Sequence, residues 1–267
     1  MGTAITSKLR IYPIKSLGFV EADEVEVGFH SLKNDRQFAM VDADGRYLNG
    51  KRNNQVNLLK TDYDLANASV TFSDETSGIG GTFELREENE ALNEFISDYF
   101  DLGLQLVSND QGQFMDMPAE SSVTIVSEAS LQHLQQDLDR HTLENMRQRF
   151  RSNIEVSGVE AYWEEQLYHT PGVGMRFRVG DVHMIGISPR ARCNVPPQSP
   201  ENGEIDYHFI KNMIASRKDH SPSAEKVIQY GKAHYFLTIN VYVPPTEAGK
   251  VIRLHDEIEV LDQVRFG

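Results

Sequence analysis

The stretch SPRARCNVPPQSPENG, residues 188–203, decides how the rest of the chain is read. It holds the one cysteine, Cys193, with Arg190 and Arg192 just ahead of it and four prolines around it. A neighbouring cation favours the thiolate, the form of cysteine that binds metals and attacks electrophiles. Proline fixes φ and lacks an N–H, so the stretch is expected to be a rigid loop, neither the inside of a helix nor a central strand. A lone cysteine is also commonly a small buried hydrophobe. The flanking sequence has to separate the two readings.

Working outward, Met175–Val179 and Val182–Ile187 predict a hairpin turning at Gly180-Asp181. After the loop, Ile205, Phe209, Ile210, Met213 and Ile214 form the apolar stripe of a helix, and Tyr235–Val243 and Val251–Leu261 end the chain as strands. Further upstream come a strand at Ser122–Val126, Ser127 as N-cap of a helix carrying Leu131, Leu134 and Leu138, and a strand at Ile154–Val156.

The first hundred residues read as short strands: Leu9–Pro13, Val20–Val27, Gln37–Val41, Val56–Leu59, Ala68–Phe72 and Thr82–Leu85. Asp42-Ala-Asp-Gly45 is a strong hairpin turn. One helix follows, with Leu92, Phe95, Ile96, Tyr99 and Phe100 on one face. The chain is therefore expected to be mainly β with a few helices. A small N-terminal β-barrel or sheet domain would span residues 1–110, and a mixed, largely antiparallel β-barrel residues 118–265, with the boundary in Asn109–Ala119.

Composition narrows the function. The 267 residues carry 39% hydrophobic and 25% charged side chains, ordinary for a globular protein. One cysteine excludes an internal disulfide framework and an all-cysteine zinc or iron–sulfur site. No apolar run approaches the roughly 20 residues of a membrane span, and no signal-peptide core opens the chain, so a cytoplasmic location and a monomer are the simplest expectations. A net charge of −14 opposes nucleic-acid binding but leaves room for a small anion in a local basic pocket.

Glycine-rich phosphate loops, His-Glu-x-x-His and Gly-x-Ser-x-Gly are absent. Three basic-polar elements stand out instead. Lys15 and Ser16 follow a strand in Ile11-Tyr-Pro-Ile-Lys-Ser-Leu17, and Arg36 opens one in Asn34-Asp-Arg-Gln-Phe38. In Arg147-Gln-Arg-Phe-Arg-Ser-Asn153, Arg149, Arg151 and Asn153 alternate, so a strand there would present all three on one face. Each alone is a solvated charged strand end. Arginine forks so placed also suit phosphate.

With the cysteine loop, these elements resemble proteins of the molybdenum-cofactor-sulfurase C-terminal (MOSC) superfamily that also carry its N-terminal β-barrel domain. The mitochondrial amidoxime-reducing component and its bacterial relatives are the nearest type. The resemblance covers almost the whole chain. Tyr-Pro-Ile-Lys-Ser, Asp35-Arg36 and Arg52 match the first domain. Ser127-Glu-Ala-Ser-Leu131, Arg149-Phe-Arg-Ser-Asn-Ile154, Arg192-Cys193, the spacing to Gly203, Arg217 and Tyr230-Gly231 match the second.

The resemblance implies a molybdenum pyranopterin cofactor in a cleft between the two domains. Cys193 would be the thiolate ligand to the metal and the catalytic residue. Lys15, Ser16 and Arg36 would hold the cofactor from one side, and Ser121, Arg151, Asn153 and Arg192 from the other. A soft thiolate suits such a metal, and Arg and Lys suit the cofactor's phosphate. The implied chemistry is reduction of N-hydroxylated small-molecule substrates, with electrons from a separate ferredoxin-, flavin- or cytochrome-type protein. The alternative is a non-enzymatic carrier of the cofactor or of persulfide sulfur; pyridoxal phosphate binding is a further family-level association. The chain departs from the pattern at Glu120, Ala191, Pro196-Pro197, Ser199 and His255, mostly on the substrate side.

Overall fold

The computed structural model describes residues 2–109, 114–115, 123–220, 228–231 and 234–265. In chain order the elements begin with β1 (Ile5–Ile11), β2 (Val20–Ala22), β3 (Glu24–Glu26), β4 (Phe38–Asp42), β5 (Lys60–Asp64), β6 (Ser69–Asp74) and β7 (Ile79–Glu84). Then come α1 (Glu90–Phe100), β8 (Leu104–Ser108), β9 (Val123–Ser127), α2 (Glu128–Leu138), α3 (Leu143–Phe150) and β10 (Ile154–Ser157). The chain continues with β11 (Val173–Val179), β12 (Val182–Ala191), α4 (Phe209–His220), β13 (Phe236–Tyr242), β14 (Val251–Arg253) and β15 (Ile258–Arg265).

The fold is mainly β, as expected. Its centre is an eight-stranded sheet in the order β15-β11-β12-β13-β9-β10-β1-β2. β1 pairs with β10, so the first strand joins the sheet of the second half and crosses between regions distant in sequence. The β9–β10 pair is parallel. A parallel pair needs a crossover, and α2 and α3 supply it, packing Leu131, Leu134, Met146 and Phe150 with Phe209 and Met213 of α4. Ser127 and Thr142 cap the two helices, each accepting a backbone N–H three residues on. Such caps stabilise by about 1 kcal/mol.

A second core lies under the smaller sheets β4-β8 and β5-β6-β7, where Phe72, Leu85, Leu92, Ile96 and Leu106 pack together. The expected barrels are not closed by strand pairing among the described residues. A single bridge, Ile5 to Glu257, links the start of β1 to the approach to β15.

Local expectations were met unevenly. The hairpin at Gly180-Asp181 forms in the register read from the sequence, with Val179 opposite Val182. Val56 and Leu59 do not belong to a strand: Asn53 caps a 3-10 turn over Asn54–Asn57, and the strand begins at Lys60. β12 runs on through Ser188–Ala191, so Pro189 sits in a strand after all. Two ladder irregularities flank it, where a missing N–H is tolerated. α4 starts at Phe209, leaving Ile205 exposed in the preceding loop. Val251–Leu261 divides into β14 and β15.

Candidate functional site

A cleft of about 690 Å³ is bordered by Leu17, Val56 and Leu59 of the second core and by Phe150 of the helical one. β12 delivers Cys193 to it. Opposite Arg190 the partner strand β13 carries one extra residue, Leu237 and Thr238 facing one position, and Thr238 takes a left-handed backbone, φ 71°. A bulge of this kind bends the pair and re-aims its end. Arg190 and Arg192 both line the cleft, and Cys193 follows them, partly buried. The Tyr235 hydroxyl donates to the Cys193 carbonyl (3.0 Å), and Arg192 N to the Tyr235 carbonyl (3.0 Å), which fixes the strand end.

The facing wall comes from the turn after β1. Lys15 N donates to the Phe38 carbonyl (2.8 Å), and Ser16 takes a left-handed conformation, φ 73°. The Lys15 Nζ donates to the Phe114 carbonyl (2.5 Å). Arg36, also left-handed, donates from Nη1 to Asp35 (2.6 Å) and to Asn153 Oδ1 (3.2 Å), and from Nη2 to the Arg151 carbonyl (3.2 Å). Tyr12, fully buried, has the Arg36 guanidinium at 4.4 Å and that of Arg151 at 4.1 Å from its ring centre. Cation–π stacking of this sort holds two planar forks in fixed orientation. Burial pushes the Tyr12 hydroxyl above its ordinary pKa.

Arg149, Arg151 and Asn153 do not share a strand face, because Leu143–Phe150 is helix α3 and Arg151 is its left-handed C-cap, φ 53°. The three therefore take different roles. Arg151 enters the cleft, where burial pulls it down to about 10. Asn153 lies behind the wall. Its Oδ1 accepts from Thr124 N and Oγ1 (3.1 Å each) and from Arg36, and its Nδ2 donates to the Arg10 carbonyl (3.0 Å). Asn153 thus pins Arg36 rather than lining the cleft. Arg149 also borders the cleft and grips the cysteine loop through the carbonyls of Pro196 and Gln198. Ser121 and Glu120 lie outside the described residues.

Lys15, Ser16, Arg36, Arg151, Arg192 and Cys193 therefore meet on one cleft. Among the described residues its lining holds eight Lys and Arg side chains against two carboxylates, Glu75 and Glu201. That local excess stands out in a chain of net charge −14. Three buried nitrogens on this wall, Arg151 Nη2 and Arg192 Nε and Nη1, have no hydrogen-bond partner among the described residues. Buried cationic donors left unpaired are costly, and an anionic ligand would satisfy them.

Sequence reasoning missed the residues that join the two walls. Gln198 donates to the Gly50 carbonyl (2.7 Å) and accepts from Asn57 (3.0 Å). Lys60 Nζ donates to the carbonyls of Asn57 (2.6 Å), Pro200 (2.8 Å) and Glu201 (3.0 Å). Burial lowers the Lys60 pKa. Nothing local in the sequence signals the bonds between the walls, whose partners lie more than a hundred residues apart.

The family model of the MOSC N-terminal beta barrel domain matches residues 3–102, and that of the MOSC domain matches residues 101–258. The chain belongs to the MOSC family. This MOSC protein is also similar to two solved structures. One is the YUAD protein from Bacillus subtilis, 14% identical over 97% of this chain and 98% of that one, TM-score 0.39. The other is described as a hypothetical protein, 11% identical over 96% and 67%, TM-score 0.37. The search of curated proteins returned no match. MOSC domains are associated with molybdenum-cofactor proteins. The residues present fit such a group. No three His, Cys, Asp or Glu side chains that could hold a metal converge among the described residues. No helix among the described residues is long and apolar enough to cross a membrane.

Proposed function

We propose that this cleft binds a molybdenum pyranopterin cofactor and that the chain is a molybdenum-dependent oxidoreductase acting on N-hydroxylated compounds. The observation that supports it most is the meeting of the one thiol, on a cation-rich cleft, with three arginine nitrogens that have no partner among the described residues. Cys193 would be the protein's thiolate ligand. Arg151 and Arg192 would neutralise the phosphate, with Lys15, Ser16 and Arg36 on the opposite wall. When bound, the cofactor supplies two-electron redox chemistry suited to removing the oxygen of an N–O bond.

The chain's own residues bind, orient and exclude water. Tyr12 and Asn153 hold the guanidinium forks of Arg36 and Arg151 in place before any ligand arrives, which lowers the ordering cost of binding. Leu17, Phe19, Val56, Leu59 and Met115 give the cleft an apolar margin for an organic substrate. With a single cysteine, the chain cannot ligate its own iron–sulfur cluster, so electrons would come from a separate carrier protein.

The test is turnover. Protein from a cofactor-producing host, given a reduced dye and an N-hydroxylated amidine, is expected to release the amidine in step with dye oxidation. Cys193→Ser should abolish this. A metal-loaded protein that consumes no N-hydroxylated compound would overturn the reductase reading, as would sulfane sulfur on Cys193 in place of metal.

A further inference from the structure

We propose that Arg149 is the positioning residue for Cys193 and that His141 makes its hold on the cysteine loop respond to protonation. This rests on the reading of Cys193 as the reactive group. Arg149, on α3, is buried at the edge of the cleft and reaches the loop from there. Its Nε donates to Asn145 Oδ1 (2.6 Å), and its Nη1 to the carbonyls of Pro196 (2.5 Å) and Gln198 (2.9 Å). Pro196 and Pro197 offer no N–H, and the Pro196 carbonyl takes its bond from Arg149. The planar fork reaches both carbonyls and Asn145 from fixed in-plane directions, a geometry a lysine ammonium does not reproduce.

His141 stands behind the fork. Its Nδ1 is 3.4 Å from Arg149 Nη2, and its Nε2 is 3.3 Å from Asp206 Oδ2. These neighbours fit the neutral ring, with Nδ1 accepting from Arg149 and Nε2–H donating to Asp206. Burial first, and then the Arg149 charge, hold the imidazole below its usual pKa. The charged and titratable groups around it are Arg140, Arg149, Asp206, Glu201, Glu204 and His208. Protonation turns Nδ1 into a donor facing a donor and sets two cations side by side. Asp206 keeps the imidazolium in place, so Arg149 is the partner that yields, and the loop loosens. The hold is present above the lowered pKa of His141 and is lost as pH falls through it.

Cys193 is the only thiol, so its labelling rate reads the loop directly. The full chain, made in a host without the cofactor, is labelled with a pyridyl disulfide beside His141→Gln, which stays neutral and keeps an acceptor. Taking the ratio cancels the thiol's own pH dependence. The wild-type to H141Q ratio should be near one at pH 7.5 and rise about threefold by pH 5, the scale of a partly exposed charge pair. Arg149→Lys should label about fivefold faster than wild type at pH 7.5 and lose the pH response. A ratio that stays at one across the range, or an R149K protein that behaves as wild type, would overturn the proposal. Neither readout involves molybdenum, so failure of metal binding tells against the cofactor reading alone.

Discussion

Arg217 and Arg151 are both arginines stacked against aromatic rings in the interior, and they are buried on different terms. Arg217, on α4, lies 4.1 Å from the ring centre of Tyr162 and 4.3 Å from that of Phe236, and it pairs with the buried carboxylate of Glu165. Arg151 lies on Tyr12, and Arg192 lies 5.3 Å from the ring centre of Phe150. Among the described residues neither of these has a carboxylate partner. A cation buried with its counter-charge belongs to the fold. Cations buried without one favour a ligand that brings the charge.

The largest expected effect lies on the helical side. Glu165→Ala would leave Arg217 buried without its partner and should lower the unfolding free energy by about 3–5 kcal/mol, read from a urea titration. A loss below 1 kcal/mol would remove the contrast. Glu164, next in the chain, is fully enclosed; its Oε2 accepts from Ser127 N and the Ser130 hydroxyl. Burial raises it to about 7. Its folded form therefore keeps a proton that the unfolded chain gives up near the ordinary carboxylate pKa. That makes stability fall as pH rises between the two values and level off above about 7. Glu164→Gln should remove this slope and be the more stable protein at pH 8, by on the order of 2 kcal/mol.

On the cleft side the effects are smaller, and removing a cation is opposite in sign to breaking the Arg217 pair. Pyrophosphate at ten times its dissociation constant should stabilise the cofactor-free wild type by about 1.4 kcal/mol, and Arg151→Met much less. Without any ligand, Arg151→Met should be neutral or more stable by about 1 kcal/mol, since an unpaired cation is replaced by an apolar side chain. A clear destabilisation of that variant would mean that Arg151 serves the fold as Arg217 does.

The cleft was legible in the sequence because its donors sit in short motifs at strand and helix ends. Lys15, Arg36, Arg192 and Cys193 each follow or open a strand, and all four reach one cleft. The division of labour within Arg149-Phe-Arg-Ser-Asn153 was not. Alternation suggested a strand, whereas Thr142 as N-cap with Leu143, Met146 and Phe150 at helical spacing was the competing signal, and it prevailed. Pro189 was misread because proline's exclusion from strands lapses at irregular ladder positions, which depend on the partner strand. Gln198 and Lys60 had no local signature, since their acceptors are carbonyls across the cleft. The extent of closure escaped for the same reason: the start of β1 meets Asp256–Ile258 through one bridge and a few backbone hydrogen bonds, and closure is decided by pairing between the chain's two ends.

Elemental analysis of wild type, Cys193→Ser and Arg151→Met, all made in one cofactor-producing host, tests the account most directly. About one molybdenum per wild-type chain is expected, and close to none in either variant. A wild type without molybdenum, or a C193S protein with its full complement, would contradict the account.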